Sequence, residues 1–107
     1  MRFEIVLAPG AAQAYRTLPA RVRAQHRDAL ETHLRHEPRK VSKSRIKRLR
    51  GMRQPQFRLR VGDIRVFHDV TDEAVQVLAI VAKAQAQRWL AEQGKTDADG
   101  GPGEGEG

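Results

Sequence analysis

The chain has 107 residues, no cysteine, 39% hydrophobic and 5% aromatic residues, and a formal charge of +7. That length suits one small domain with a modest, mostly aliphatic core, and the missing cysteine excludes disulfides and thiolate metal centres and is compatible with a reducing cytoplasm. No segment approaches the ~18 apolar residues of a membrane span, and Met1–Leu7 lacks the long apolar stretch of a secretory signal.

In residues 2–7, Phe3, Ile5 and Leu7 alternate with Arg2, Glu4 and Val6, which predicts a first strand. Pro9 suits the first turn of a helix, and Ala11, Ala12, Ala14, Tyr15 and Leu18 give that helix an apolar side. Pro19 breaks it and starts a second helix, roughly Ala20–His36, on which Val22, Ala29, Leu30 and Leu34 recur at helical spacing. His26 and His33 are seven residues apart and share a face of that helix, with too few acidic or histidine neighbours for a metal site. Pro38 ends the pattern, so the two helices form a helical hairpin. Residues 39–55 are basic, with weak structural signals and a short strand expected near Lys47–Arg50.

The stretch from Phe57 to His68 reads as two strands joined by a Gly62-Asp63 turn. Glycine at the first central position suits a type II′ hairpin, and a two-residue turn fixes the register. Arg60 then faces Arg65, Arg58 faces Phe67, and Phe57 faces His68. Because side chains alternate, one face carries Phe57, Leu59, Val61, Ile64, Val66, His68 and Val70, and the other carries Arg58, Arg60, Arg65, Phe67 and Asp69. Like charges directly opposite each other weaken a sheet by roughly 0.2–1 kcal/mol, so the Arg60–Arg65 pair points to a site for a polyanion such as phosphate. The same parity puts His68 with the apolar residues, as a core histidine rather than an acid–base group.

Thr71-Asp72-Glu73 makes the next turn. Ala74–Val81 is nearly all apolar and reads as a strand buried on both sides. Residues 83–93 fit a short final helix, with Trp89 and Leu90 packed on the sheet. The Gly- and acid-rich segment 94–107 predicts a disordered tail, leaving 1–93 as the domain. The order is β-α-α-β-β-β-α: an α+β fold in which the N-terminal helical hairpin packs on a small, mainly antiparallel sheet with a short C-terminal helix, the helices covering one face.

Residues 95–107 carry Lys95 against four acids; the remainder holds 19 bases and 9 acids, about +10. Such a density predicts an acidic partner, most often nucleic acid. The basic run Arg39, Lys40, Lys43, Arg45, Lys47, Arg48, Arg50 and Arg53 is a candidate clamp on an RNA backbone.

Three segments together resemble the RelE/ParE superfamily of type II toxins, in its RelE-like branch. They are the first strand with the helical hairpin "LPARVRAQHRDALETHL", the basic-Leu-basic-Gly-hydrophobic run Arg48-Leu49-Arg50-Gly51-Met52, and the pattern from Phe57 to Phe67. The resemblance implies a ribosome-associated mRNA endoribonuclease that needs no metal or other cofactor and inhibits translation in the cytoplasm, with mRNA, the ribosome and a cognate acidic antitoxin as partners. In that chemistry a 2′-hydroxyl attacks the adjacent phosphate, and basic groups fixed in advance hold its growing charge. The matched positions make Arg65, Arg60 and Arg58 the catalytic candidates. From the basic run Lys47, Arg48, Arg50 and Arg53 are RNA contacts, Lys83 is a replacement for part of the missing charge, and Phe67, on the arginine face, either stacks on a base or, the favoured reading, lies as cover beneath the C-terminal helix.

The chain departs from the family pattern at Ala84 and Leu90, where many active members have an arginine and an aromatic hydroxyl, and at Arg58 and Arg60, where lysines are common. A guanidinium is not deprotonated in proteins and is no general base. The residues therefore leave open a second reading: a non-catalytic or ParE-like module on the same fold, either a DNA gyrase inhibitor or a toxin relative without chemistry.

Overall fold

The computed structural model describes residues 2–97. Its elements are β1 (Glu4–Leu7), α1 (Pro9–Thr17), α2 (Ala20–Leu34), β2 (Ile46–Arg48), β3 (Met52–Gln54), β4 (Phe57–Val61), β5 (Ile64–Val70), β6 (Ala74–Ala82), α3 (Lys83–Gln93) and β7 (Lys95–Thr96). Five strands form one sheet in the order β1-β6-β5-β4-β2, with β1 parallel to β6 and the other pairs antiparallel. The expected α+β architecture and element order are present.

Local chemistry explains the helical hairpin. Pro9 sits in the first turn of α1, where its missing N–H costs nothing. At the other end Arg23 donates to the Arg16 and Leu18 carbonyls, at 3.1 and 3.2 Å, which satisfies acceptors that a helix C-terminus leaves unpaired. The pair lies on the sheet face that carries Leu59, Val66, Val75 and Val77, all fully buried, and closes it with Ala11, Leu30 and Leu34. Each large aliphatic side chain so buried contributes about 1.5–3 kcal/mol.

The hairpin register holds residue for residue, from Phe57↔His68 to Val61↔Ile64. Gly62 has φ +57°, a conformation that residues with a Cβ seldom adopt. The register of β6 is less regular. Phe67 pairs with Ala79 but His68 pairs with Val77, so Leu78 is an extra residue on β6. This bulge lets Val77 and Ile80 both face the helical hairpin while Ala79 faces the other way.

Helices cover both faces of the sheet, which corrects the one-face expectation. On the second face α3 brings Trp89 and Leu90 over Leu49, Phe67 and Ala79. The Phe67 and Trp89 rings stack with centroids 4.9 Å apart and planes 7° apart.

Chain order also runs past the expected boundary at residue 93. Lys95–Thr96 pair with β3 as a separate two-stranded sheet, and the Asp97 amide donates to the Gly51 carbonyl at 2.8 Å. The rest of the expected tail, 98–107, lies outside the described residues.

Candidate nucleic-acid interface

The sheet face not covered by the helical hairpin is shared between α3 and a field of cations. Strand β2 pairs with β4 so that Lys47 stands opposite Arg58, and Arg58 stands opposite Phe67 on β5. The next rung holds Arg60 and Arg65, and the Arg60 amide donates to the Arg45 carbonyl at 2.9 Å.

The preceding loop is folded by one hydroxyl. Ser42 Oγ accepts from the amides of Arg45 and Ile46, at 3.1 and 3.3 Å, the local pattern by which serine replaces a backbone turn. The Ser42 amide donates to the Ile46 carbonyl at 2.9 Å. This turn sets Lys43 and Arg45 beside the end of β4.

A cleft of about 290 Å³ results, lined by Lys43, Arg45, Lys47, Arg58 and Arg60 together with Ser42, Ser44 and Ile46. No carboxylate lines it. Arg58, one of the lining residues, has its Nε buried without a hydrogen-bond partner. A buried, unpaired donor on a cation carries a desolvation cost.

Arg65 behaves differently. It is 7% exposed, and its Nη1 donates to the Gly62 and Ile64 carbonyls at 2.9 and 3.1 Å. Burial first, then the charges of Arg58 and Arg60, lower its pKa, although a guanidinium stays protonated at any physiological pH. Arg65 thus braces the hairpin tip and does not line the cleft.

No protein-family model matches the chain, and no curated protein matches it. Solved structures do. A double Arg-to-Ala variant of the Escherichia coli toxin RelE in the free state superimposes with a TM-score of 0.64 at 25% identity, over 86% of this chain and 94% of that one. The archaeal RelE–RelB complex from Pyrococcus horikoshii gives 0.60 at 24%, over 79% and 99%. RelBE2 from Mycobacterium tuberculosis gives 0.56 at 22%, over 77% and 99%. The chain has the RelE-superfamily fold.

On this RelE-type scaffold the cations named from sequence separate into groups. Arg58, Arg60 and Lys47 meet in the cleft. Arg48 is partly committed to structure: it donates to the Leu49 and Gln56 carbonyls at 2.9 and 2.7 Å and lies over the Phe57 ring at 5.5 Å. It also lines, with Lys47 and Arg50, a wider groove of about 770 Å³ between β2, β3 and α3. Arg53 is exposed on β3 and lines neither hollow. Lys83 lies at the hairpin tip, where its amide donates to the Asp63 carbonyl at 2.7 Å, in a shallow hollow with Asp63, Ala82 and Ala84.

The sequence offers Phe67 two roles, stacking on a base or lying beneath the C-terminal helix. The residue is fully buried beneath Trp89, so it offers no face to a base. The sheet parity was right, but α3 fills the space. Lys43 and Arg45 were named only as part of the basic run, and the structure brings both into the cleft. Their signal in the sequence was Ser42, three residues before Arg45, a spacing that suits a hydroxyl-capped turn.

The histidines stay out of the cleft. His68 is fully buried, stacked on Phe57 at 5.4 Å, and its core placement agrees with the parity of the hairpin. Burial pushes its pKa down to about 4; the Pro38 and Val66 carbonyls oppose the shift without closing a hydrogen bond of normal geometry. His26 is also fully buried, edge-on to Tyr15 at 5.7 Å with both ring nitrogens unpaired, and burial lowers its pKa. Among the described residues no group of His, Asp and Glu is placed to hold a metal ion.

Proposed function

We propose that this protein is the toxin of a type II toxin–antitoxin pair and acts on mRNA at the ribosome as a metal-independent endoribonuclease, blocking translation in the cytoplasm. One observation carries the reading: five cations and no carboxylate line a cleft on a RelE fold, and one of them, Arg58, keeps a buried donor unpaired. Guanidinium groups match phosphate oxygens with parallel hydrogen bonds. In such a site Arg58 and Arg60 hold the scissile phosphate and stabilise its charge, without reorganising, as the 2′-oxygen bonds to phosphorus and the bond from phosphorus to the 5′-oxygen breaks, the 2′-hydroxyl proton passing to water and the departing 5′-oxygen taking one from it. Arg65 acts as a positioning residue that fixes the tip of the strand bearing its neighbour.

The charge of the domain also supports the partner. Among the similar structures, RelBE2 from Mycobacterium tuberculosis is a toxin–antitoxin complex, and a strongly basic surface suits an acidic antitoxin segment that folds on binding.

A second reading has its own observation. The first residues of α3 offer Ala84 and Ala86 beside Lys83, and Leu90 is packed on the sheet, so α3 supplies no guanidinium or phenol near the hairpin tip. A non-catalytic relative, or a ParE-like module acting on DNA gyrase, would need neither. Induced expression with mapping of transcript ends separates the two. The enzyme reading expects growth arrest with cut transcripts, both lost in Arg58→Ala/Arg60→Ala. Arrest with intact transcripts and altered plasmid supercoiling supports the gyrase reading, and no arrest supports a protein without chemistry.

A further inference from the structure

The basic cleft does not end at β4. It shares Ser42, Arg45 and Ile46 with a neighbouring hollow of about 270 Å³ lined by Thr32, His33, Glu37 and Lys40. At its other end it shares Lys47 with the wide groove beside α3. Neighbours through these shared residues, the three hollows define a route. The path starts on the sheet face under α3, crosses the outer edge of the sheet at β2, and reaches the C-terminal end of α2, which belongs to the opposite face. Strand β2 is an edge strand of three residues, so nothing beyond it in the sheet blocks the way.

We infer that this path is a track for single-stranded RNA, with a second phosphate seat at Lys40 beyond the central cleft. The inference rests on the central cleft being an RNA site, and it adds direction and length to that site. The geometry selects the ligand. Layers of a domain stack about 10 Å apart, so a strand following the track turns round the sheet edge within a few nucleotides. A duplex has a persistence length of about 150 bp and does not bend so sharply without a large cost; a single strand does.

Charge marks the same route. Cations line each part of it: Lys47, Arg48 and Arg50 the wide groove, Lys43, Arg45, Lys47, Arg58 and Arg60 the central cleft, and Lys40 and Arg45 the further hollow. Arg45 and Lys47 are two residues apart, about 7 Å along an extended chain, a step of the order of one nucleotide. The one acid on the track is Glu37, whose carboxylate lies 3.8 Å from Lys40 Nζ. Both groups are well exposed, so the pair contributes little to stability and either partner can be exchanged without unfolding the chain. His33 adds no charge at neutral pH, since burial and then Arg45 lower its pKa.

The test is the salt dependence of binding for fluorescein-labelled 2′-O-methyl oligouridylates of four and twelve nucleotides, which resist cleavage, measured with the wild-type chain, Glu37→Lys and Lys40→Glu. Each phosphate contact on a single strand adds about 0.7 to the slope of log K against log salt, and the number of ways a long oligomer can sit does not change that slope. The twelve-mer slope should exceed the four-mer slope by about 2, three further contacts. Glu37→Lys should steepen the twelve-mer slope by about 0.7 and Lys40→Glu should flatten it by as much, each leaving the four-mer within twofold in affinity.

Equal slopes for the two oligomers in the wild-type chain, or equal effects of the variants on both, overturn the track while leaving the central cleft as an RNA site. Failure of the wild-type chain to bind either oligomer overturns both. Tighter binding of a twelve-base-pair duplex than of the single strand also overturns the track, and makes the basic surface a duplex platform.

Discussion

Arg60 and Arg65 are cross-strand partners on the β4–β5 hairpin, yet their guanidinium groups do different work. Arg65 is buried and holds the Gly62 and Ile64 carbonyls, whereas Arg60 is exposed and lines the basic cleft. The repulsion between them is tolerated because one member is tied to the backbone. Substituting the two should therefore give opposite results. Arg65→Ala removes two charged hydrogen bonds from a partly buried turn and should lower stability by about 2 kcal/mol. Arg60→Ala should leave stability within about 0.5 kcal/mol while weakening RNA binding. Urea unfolding of each variant, with an RNA titration beside it, reads both effects.

Acid should unfold the domain through its two buried histidines. His68 and His26 both have folded pKa values below the ordinary value, so the unfolded chain takes up their protons first. Stability is then complete above about pH 6.5 and falls as pH drops toward the folded value, which for His68 is about 4. The His68 contribution to that loss is of the order of 3 kcal/mol. His68→Phe keeps the stack on Phe57 and should flatten the decline between pH 6.5 and 4, as measured by urea midpoints at several pH values.

Helix α3 is attached by a small cluster separate from the main core, so it should loosen alone. Trp89→Ala removes the stack on Phe67, an aromatic pair worth ~0.5–1.5 kcal/mol beyond the area it buries. Amide exchange should accelerate across 83–97, while β4, β5 and β6 keep their protection.

Gly94 makes a related prediction. Its amide donates to the Leu90 carbonyl at 2.9 Å, and a Cβ at this position would lie 2.6 Å from that same oxygen and collide with Met52 Cε. Gly94→Ala should therefore detach β7 from β3. The expected readout is loss of amide protection at residues 94–97, with little change in the unfolding midpoint of the sheet.

Much of this architecture is legible in the residues, for reasons that can be named. The hairpin register follows from a two-residue turn, so the faces of Arg58, Arg60 and His68 follow too. The burial of Phe67 is legible only through Trp89 and Leu90, apolar residues that mark the final helix as cover for the sheet, while the face it crosses is recorded by no local pattern. Strands β3 and β7 have three and two residues, too few for periodicity to show. The convergence of Lys43, Arg45 and Lys47 on Arg58 is hidden for another reason. A long connection between β2 and β4 leaves their register unset by any tight turn, and only the pairing Lys47↔Arg58 reveals the cleft.

The central claim is that Arg58 and Arg60, and not Arg65, grip an RNA phosphate. The most direct measurement is an NMR titration of the 15N-labelled chain with a dinucleotide, UpU carrying a 2′-O-methyl group that blocks cleavage, following the arginine Nε–Hε signals. Arg58 and Arg60 should shift strongly, with Lys47 amide changes beside them, while Arg65 stays in place. Shifts confined to Arg65 and the Lys83 end of α3, or no shift at Arg58, would contradict the account.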